Sequence, residues 1–202
     1  MRRIFALIIA LGTMGACGSS AKQNSPAATG RMVEIAPTEI ADNPIALFGQ
    51  RWALLTVGTV GNVNTMTISW GSLGELWGKP VVSVYVSSSR YTHEFMERNE
   101  RFTVAFFSEQ HRKALRYLGS HSGRDGDKIT ASGLTLEFLQ SGAPSFVEAD
   151  MVIEARKIYG APLDTSGFGD VPQRFYATRR MGVHSMFVGE IERVWLRERS
   201  GE

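Results

Sequence analysis

A mostly β domain with a few inserted helices, closed as a barrel or a sandwich, is the fold class this sequence predicts, on three observations. Short β-branched and aromatic runs recur from Trp52 to Leu196, about seven in all. Turn signals such as Gly61-Asn62 separate neighbouring runs at hairpin distance. Only two stretches look helical, and each lies between runs.

The first strand is WALLTVGTV, Trp52 to Val60, and NTMTISW after the Gly61-Asn62 turn is its hairpin partner. Val81 to Val86 and Phe102 to Phe107 follow as strands. Between them Thr92 is placed to N-cap a helix over HEFMERNE. Ser108 caps EQHRKALRYL, whose Ala114, Leu115 and Leu118 form an apolar stripe that Gly119 ends. Further strands are expected at Leu134 to Leu139, within Phe146 to Arg156, and at His184 to Leu196, where Gly189 marks a bulge.

Before the domain, Arg2-Arg3 precedes an apolar run from Ile4 to Leu11 and then Thr13-Met14-Gly15-Ala16-Cys17. The run falls short of the roughly 20 apolar residues that span a bilayer, so residues 1–16 read as a signal peptide. The small residues before Cys17 resemble a bacterial lipobox, with Met14 where leucine is usual, and Cys17 is then the lipidated first residue of an exported protein anchored to the cell envelope. A plain cleaved leader, and export by either the general or the twin-arginine route, stay open. Residues 17–30 are small and polar, a tether, and residues 31–202 suit one domain. Cys17 is the sole cysteine, which excludes internal disulfides and thiolate metal clusters. Lys and Arg number 22 against 20 acids, and loss of Arg2 and Arg3 balances them, which argues against non-specific nucleic-acid binding.

Three polar segments could carry chemistry. In NTMTISWG, strand alternation puts Asn64, Met66, Ile68 and Trp70 on one face and Thr65, Thr67 and Ser69 on the other. Ser87 to Thr92 joins a strand to a helix, where free N–H groups, the helix dipole and Arg90 suit an anion; ordinary loop composition gives the same letters. Ser120 to Lys128 offers hydroxyls, Arg124, Lys128 and two glycines, either closing on a charged ligand or forming a solvated turn. Asp125 and Asp127 lack the remaining ligands of an EF-hand.

Taken in order, NTMTISWG, Leu76-Trp77-x-Lys79-Pro80, Ser89-Arg90-Tyr91-Thr92, FTVAFF at Phe102 to Phe107, SGRDGDK at Ser122 to Lys128, Gly133-Leu134-Thr135, EARKIY at Glu154 to Tyr159 and HSMFVGEI at His184 to Ile191 resemble the flavin reductase-like, FMN-binding split-barrel family, flavoredoxin-like branch. The resemblance runs from about Asn43 to Val194. It implies a six-stranded Greek-key split barrel, a homodimer, and FMN as cofactor near the subunit interface. It further implies that Asn64 to Trp70 (Asn64, Thr65, Met66, Thr67, Ile68, Ser69, Trp70) runs beside the isoalloxazine, that Arg90 and Thr92 hold the phosphate, and that Ser122, Arg124 and Lys128 close over the phosphate or ribityl end. His184 falls where the family places a histidine near its active site, either as a proton donor or as a structural hydrogen-bonding group. Leu118 and Ala155 stand where relatives often carry cysteine, and serines precede Arg90 where Arg-Pro is common.

The function so implied is an FMN-dependent reductase or electron carrier working through flavin N5. Its donor and acceptor are open, with NAD(P)H one candidate donor. The alternative is a non-catalytic module that binds FMN or another small phosphorylated ligand.

Overall fold

The computed structural model describes residues 30–179 and 181–198. The expected leader, Cys17 and all of the tether but Gly30 lie outside the described residues. In chain order the elements are β1 (Met32–Ile35), α1 (Pro44–Ala46) running into a π-helical turn at Leu47–Arg51, β2 (Ala53–Thr59), β3 (Asn62–Ile68), β4 (Gly71–Leu76) and β5 (Lys79–Ser87). Then come α2 (Tyr91–Arg98), β6 (Arg101–Phe106), α3 (Arg112–Ser120), α4 (Lys128–Ser132), β7 (Leu136–Phe138) and β8 (Pro144–Phe146), followed by β9 (Met151–Pro162), α5 (Asp170–Thr178) and β10 (His184–Arg197).

One antiparallel sheet runs β3-β2-β6-β9-β10-β5-β4, with β1 also on β10, and β7-β8 form a separate ribbon. The six strands from β3 to β5 all send residues into one core: Leu55, Met66, Phe106, Ile153, Phe187 and Val84 come one from each. A sheet whose successive strands bury side chains in a common centre is curved around it, which is the split-barrel architecture. The other face of β2, β6 and β9 is covered by α3 and β8 through Leu54, Leu115, Phe146 and Val152. Gly189 sits at a register shift between β9 and β10. A Cβ there would lie 2.6 Å from the Phe102 ring, so the bulge requires glycine.

The helix α2 packs on β2, β3 and β5 and drives Phe95 and Met96 into the barrel core. Burying such side chains contributes about 1.5–3 kcal/mol each. That attachment fixes the start of α2, and with it Arg90, against β3.

Capping differs from expectation. The N-cap of α2 is Arg90, and Thr92 lies inside the first turn, where its hydroxyl accepts from Asn64 Nδ2 at 2.8 Å. Ser108 leads into a 3-10 turn without a side-chain cap, and α3 begins at Arg112. Gly119 lies within α3, pressed against Thr67, and the helix ends one residue later.

Candidate functional site

Two clusters converge near the start of α2. The first is a cavity of about 190 Å³ between β3, the α2 N-terminus and the loop from α3 to α4. It brings together seven of the residues singled out in the sequence: Asn64, Met66, Arg90, Thr92, Ser122, Arg124 and Lys128. Gly123 completes its wall, where any Cβ would collide with the Asn64 amide oxygen.

Lys128 is only 6 % exposed. Its Nζ donates to the Leu118 carbonyl at 3.1 Å and to the His121 carbonyl at 2.9 Å, at the carbonyl end of α3. Burial first, and then the Arg90 charge, push its pKa down to about 8. The Arg90 guanidinium donates to the Gly119 carbonyl at 3.1 Å. Neither cation meets an acidic side chain among the described residues. Arg124 differs, being paired with Glu94 and lying 4.6 Å from the centre of the Tyr91 ring. The α2 N-cap provides no side-chain acceptor, and the one acid of the first turn, Glu94, is paired with Arg98 and Arg124, so the first-turn N–H groups add to the positive field. Two unneutralised cations and a helix start around one small cavity form an anion site.

The strand β3 borders this cavity with only one of its faces. Asn64 and Met66 line it, and Ile68 enters the core. The hydroxyls of Thr65 and Thr67 are not presented there: Thr65 is bonded to Thr56 at 2.8 Å and to the Leu55 carbonyl at 3.2 Å, and Thr67 donates to the Leu115 carbonyl. The expected row of gripping hydroxyls is therefore used to seat β3 on β2 and α3. What β3 offers instead is backbone, because as the end strand it pairs only with β2 and leaves its outer N–H and C=O groups unladdered. Ser69 and Trp70 follow the strand and are exposed.

The second cluster is aromatic. The Trp70 ring, 39 % exposed, lies 4.6 Å from His184 and 5.1 Å from Phe175. His184 is buried opposite Ser87, and its Nδ1 is 2.8 Å from the Tyr176 hydroxyl. Burial, and then the Arg90 charge, hold its imidazole below the ordinary histidine pKa. Arg90 thus acts electrostatically on both Lys128 and His184 and joins the clusters. A wider groove of about 1140 Å³ lies along α3 and α4; it takes in Asp127 and the Gly133-Leu134-Thr135 motif, but its lining holds only Lys113 as a lysine or arginine and none of the residues that the resemblance assigns to the cofactor.

Residues 45–202 match the family model for the flavin reductase like domain. This chain belongs to the flavin reductase-like family. Solved structures agree with that placement. The FMN-binding domain of a flavin reductases-like enzyme from Shewanella baltica superposes with a TM-score of 0.61 at 16% identity, covering 83% of this chain and 78% of the other. Flavoredoxin from Methanosarcina acetivorans gives 0.60 at 24% identity, covering 75% and 71%. An FMN-binding protein from Thermus thermophilus with bound p-hydroxybenzaldehyde gives 0.58 at 26% identity, covering 78% and 80%. No curated protein matches the chain.

Within this flavin reductase-like fold, Leu118 and Ala155 are fully buried apolar residues that fill core positions without a thiol. Phe175 and Tyr176 were not legible as site residues. They sit on α5, a short helix that buries none of its side chains and offers in the sequence only one apolar i, i+4 pair, Val171 and Phe175, too little to mark a helix. The available signals were Asp170 in the first turn and Pro172 close behind it.

Proposed function

We propose that this chain is an FMN-binding, flavin reductase-like flavoprotein that works as a reductase or electron carrier. The observation that carries the reading is Lys128, a buried ammonium with no acidic partner among the described residues, lining with Arg90 a cavity bordered by the unladdered edge of β3. A phosphate monoester meets that need, and the residues fit it: Lys128 and Arg90 would neutralise the phosphate, with Ser122, Thr92 and the first-turn N–H groups of α2 as donors. The outer edge of residues 64–70 would supply main-chain groups to the polar rim of the ring, with Trp70 at its end. FMN, when bound, supplies reversible hydride and electron transfer. The protein's own part is to hold the phosphate, to exclude water with Met66 and Trp70, and to keep a neutral imidazole at His184 for hydrogen bonding.

The test is the visible spectrum of the purified chain incubated with FMN and freed of excess, before and after dithionite. A yellow protein that bleaches and recovers in air supports the reading. A colourless chain that takes up no FMN overturns it, and a coloured one that passes electrons to no acceptor leaves a binding module. Under the same reading NAD(P)H is one donor to assay, and a homodimer, implied by the motif resemblance of the sequence, is checked by sedimentation. The lipobox-like Cys17 supports an exported, lipid-anchored form, which mass spectrometry of the mature N-terminus checks.

A further inference from the structure

We propose that Tyr176 is a positioning residue that holds His184 as the neutral tautomer protonated on Nε2. The Tyr176 oxygen accepts the backbone N–H of His184 at 3.4 Å and lies 2.8 Å from Nδ1 of the same residue. A backbone N–H can only donate, so the phenol oxygen serves it as acceptor. The phenol oxygen keeps a second lone pair, so the 2.8 Å contact fits either direction; in the proposed arrangement the phenol proton goes to Nδ1, its one acceptor within hydrogen-bond reach among the described residues. An Nδ1 that accepts leaves the imidazole proton on Nε2.

Three surroundings keep the ring in that state. Arg90 is the charged group acting on it, and its positive charge opposes a second proton. On the β5 side the opposing residue is Ser87, whose hydroxyl is engaged by Ser89 and the Gly182 carbonyl and adds no charge. On the remaining side the Trp70 ring lies tilted against the imidazole at 4.6 Å, while Tyr176 is itself held by the parallel Phe168 ring at 5.4 Å and the edge of Phe175 at 5.2 Å. The helix α5 therefore acts as a splint for one hydroxyl. A neutral Nε2–H offers one donor without a full positive charge at this end of the site, suited to a carbonyl oxygen or a ring nitrogen, while the cations at the other end supply the charge an anion needs. The use of that proton rests on the flavoprotein reading; the tautomer itself does not.

The test is nitrogen NMR of the histidine side chains in the flavin-free chain, repeated with FMN added. Near neutral pH, His184 should show an unprotonated Nδ1 and a protonated Nε2. Tyr176→Phe, which keeps the ring stacks and removes the hydroxyl, should mix the tautomers and raise the imidazole titration midpoint by about half to one pH unit. Phe175→Leu, which removes one of the two ring contacts on Tyr176 and spares the hydroxyl, should shift the tautomer less than Tyr176→Phe does. A parent His184 protonated on Nδ1, an unchanged spectrum in Tyr176→Phe, or the same change in Phe175→Leu would each overturn the proposal. Since the flavin-free sample carries the readout, a failure to bind FMN is seen separately in the visible spectrum.

Discussion

Two short helices of nearly equal length, α2 and α5, bring side chains to the same site by opposite means. The former buries Thr92, His93, Phe95 and Met96 and is anchored in the barrel core. The latter buries nothing and is held by aromatic contacts and two hydrogen bonds between the Tyr176 phenol and His184. What the barrel fixes rigidly is the anion end, where a misplaced charge costs most. The aromatic end is added from outside.

The largest expected break in this contrast is Phe95→Ala. Removing a core-filling ring from α2 should cost about 3–5 kcal/mol, read as a lower denaturation midpoint, and should release Arg90 with it. Next is Lys128→Met, which keeps the buried stem and removes the charge. The dissociation constant for FMN should rise about 10- to 100-fold by flavin fluorescence titration, with the melting temperature nearly unchanged, because relief of cation burial offsets the two lost carbonyl bonds.

The same lysine sets a pH dependence whose two halves have opposite sign. With the folded pKa at about 8 against 10.5 for the free group, the unfolded chain binds more protons between those values, so the empty protein gains stability as pH rises through that window. Bound phosphate raises the lysine pKa, so affinity for FMN is fully present below about pH 8 and falls above it, by up to about tenfold per pH unit. Lys128→Met should flatten both curves.

Smaller effects sharpen the picture. Thr67→Val should cost about 1 kcal/mol in urea denaturation by removing the hydroxyl's bond to the Leu115 carbonyl, yet change FMN affinity by less than about twofold, because that hydroxyl serves α3 and not the cavity. Phe175→Leu should move global stability least, by under about 0.5 kcal/mol, since α5 contributes nothing to the core.

The contrast also explains what could be read from the letters. The strands β2, β3, β5, β6 and β10 were legible because they alternate or run apolar into one core, and Gly189 was legible as a bulge because glycine interrupts such a run. Edge strand β4, with GSLGEL and mostly exposed side chains, gave no comparable signal, and neither did α5. The convergence of Arg90 with Lys128 lay in the ordered motifs rather than in any single one. The hydroxyls of Thr65 and Thr67 misled, since alternation tells which side chains share a face but not what covers that face. Here α3 covers it.

The open margin of β3 has a consequence for handling the protein. A bare strand margin is a template on which a second chain can add, whereas a flat molecule resting along it occupies the same groups. Preparations stripped of such a molecule should therefore clump sooner than loaded ones, and solubility becomes a gauge of occupancy.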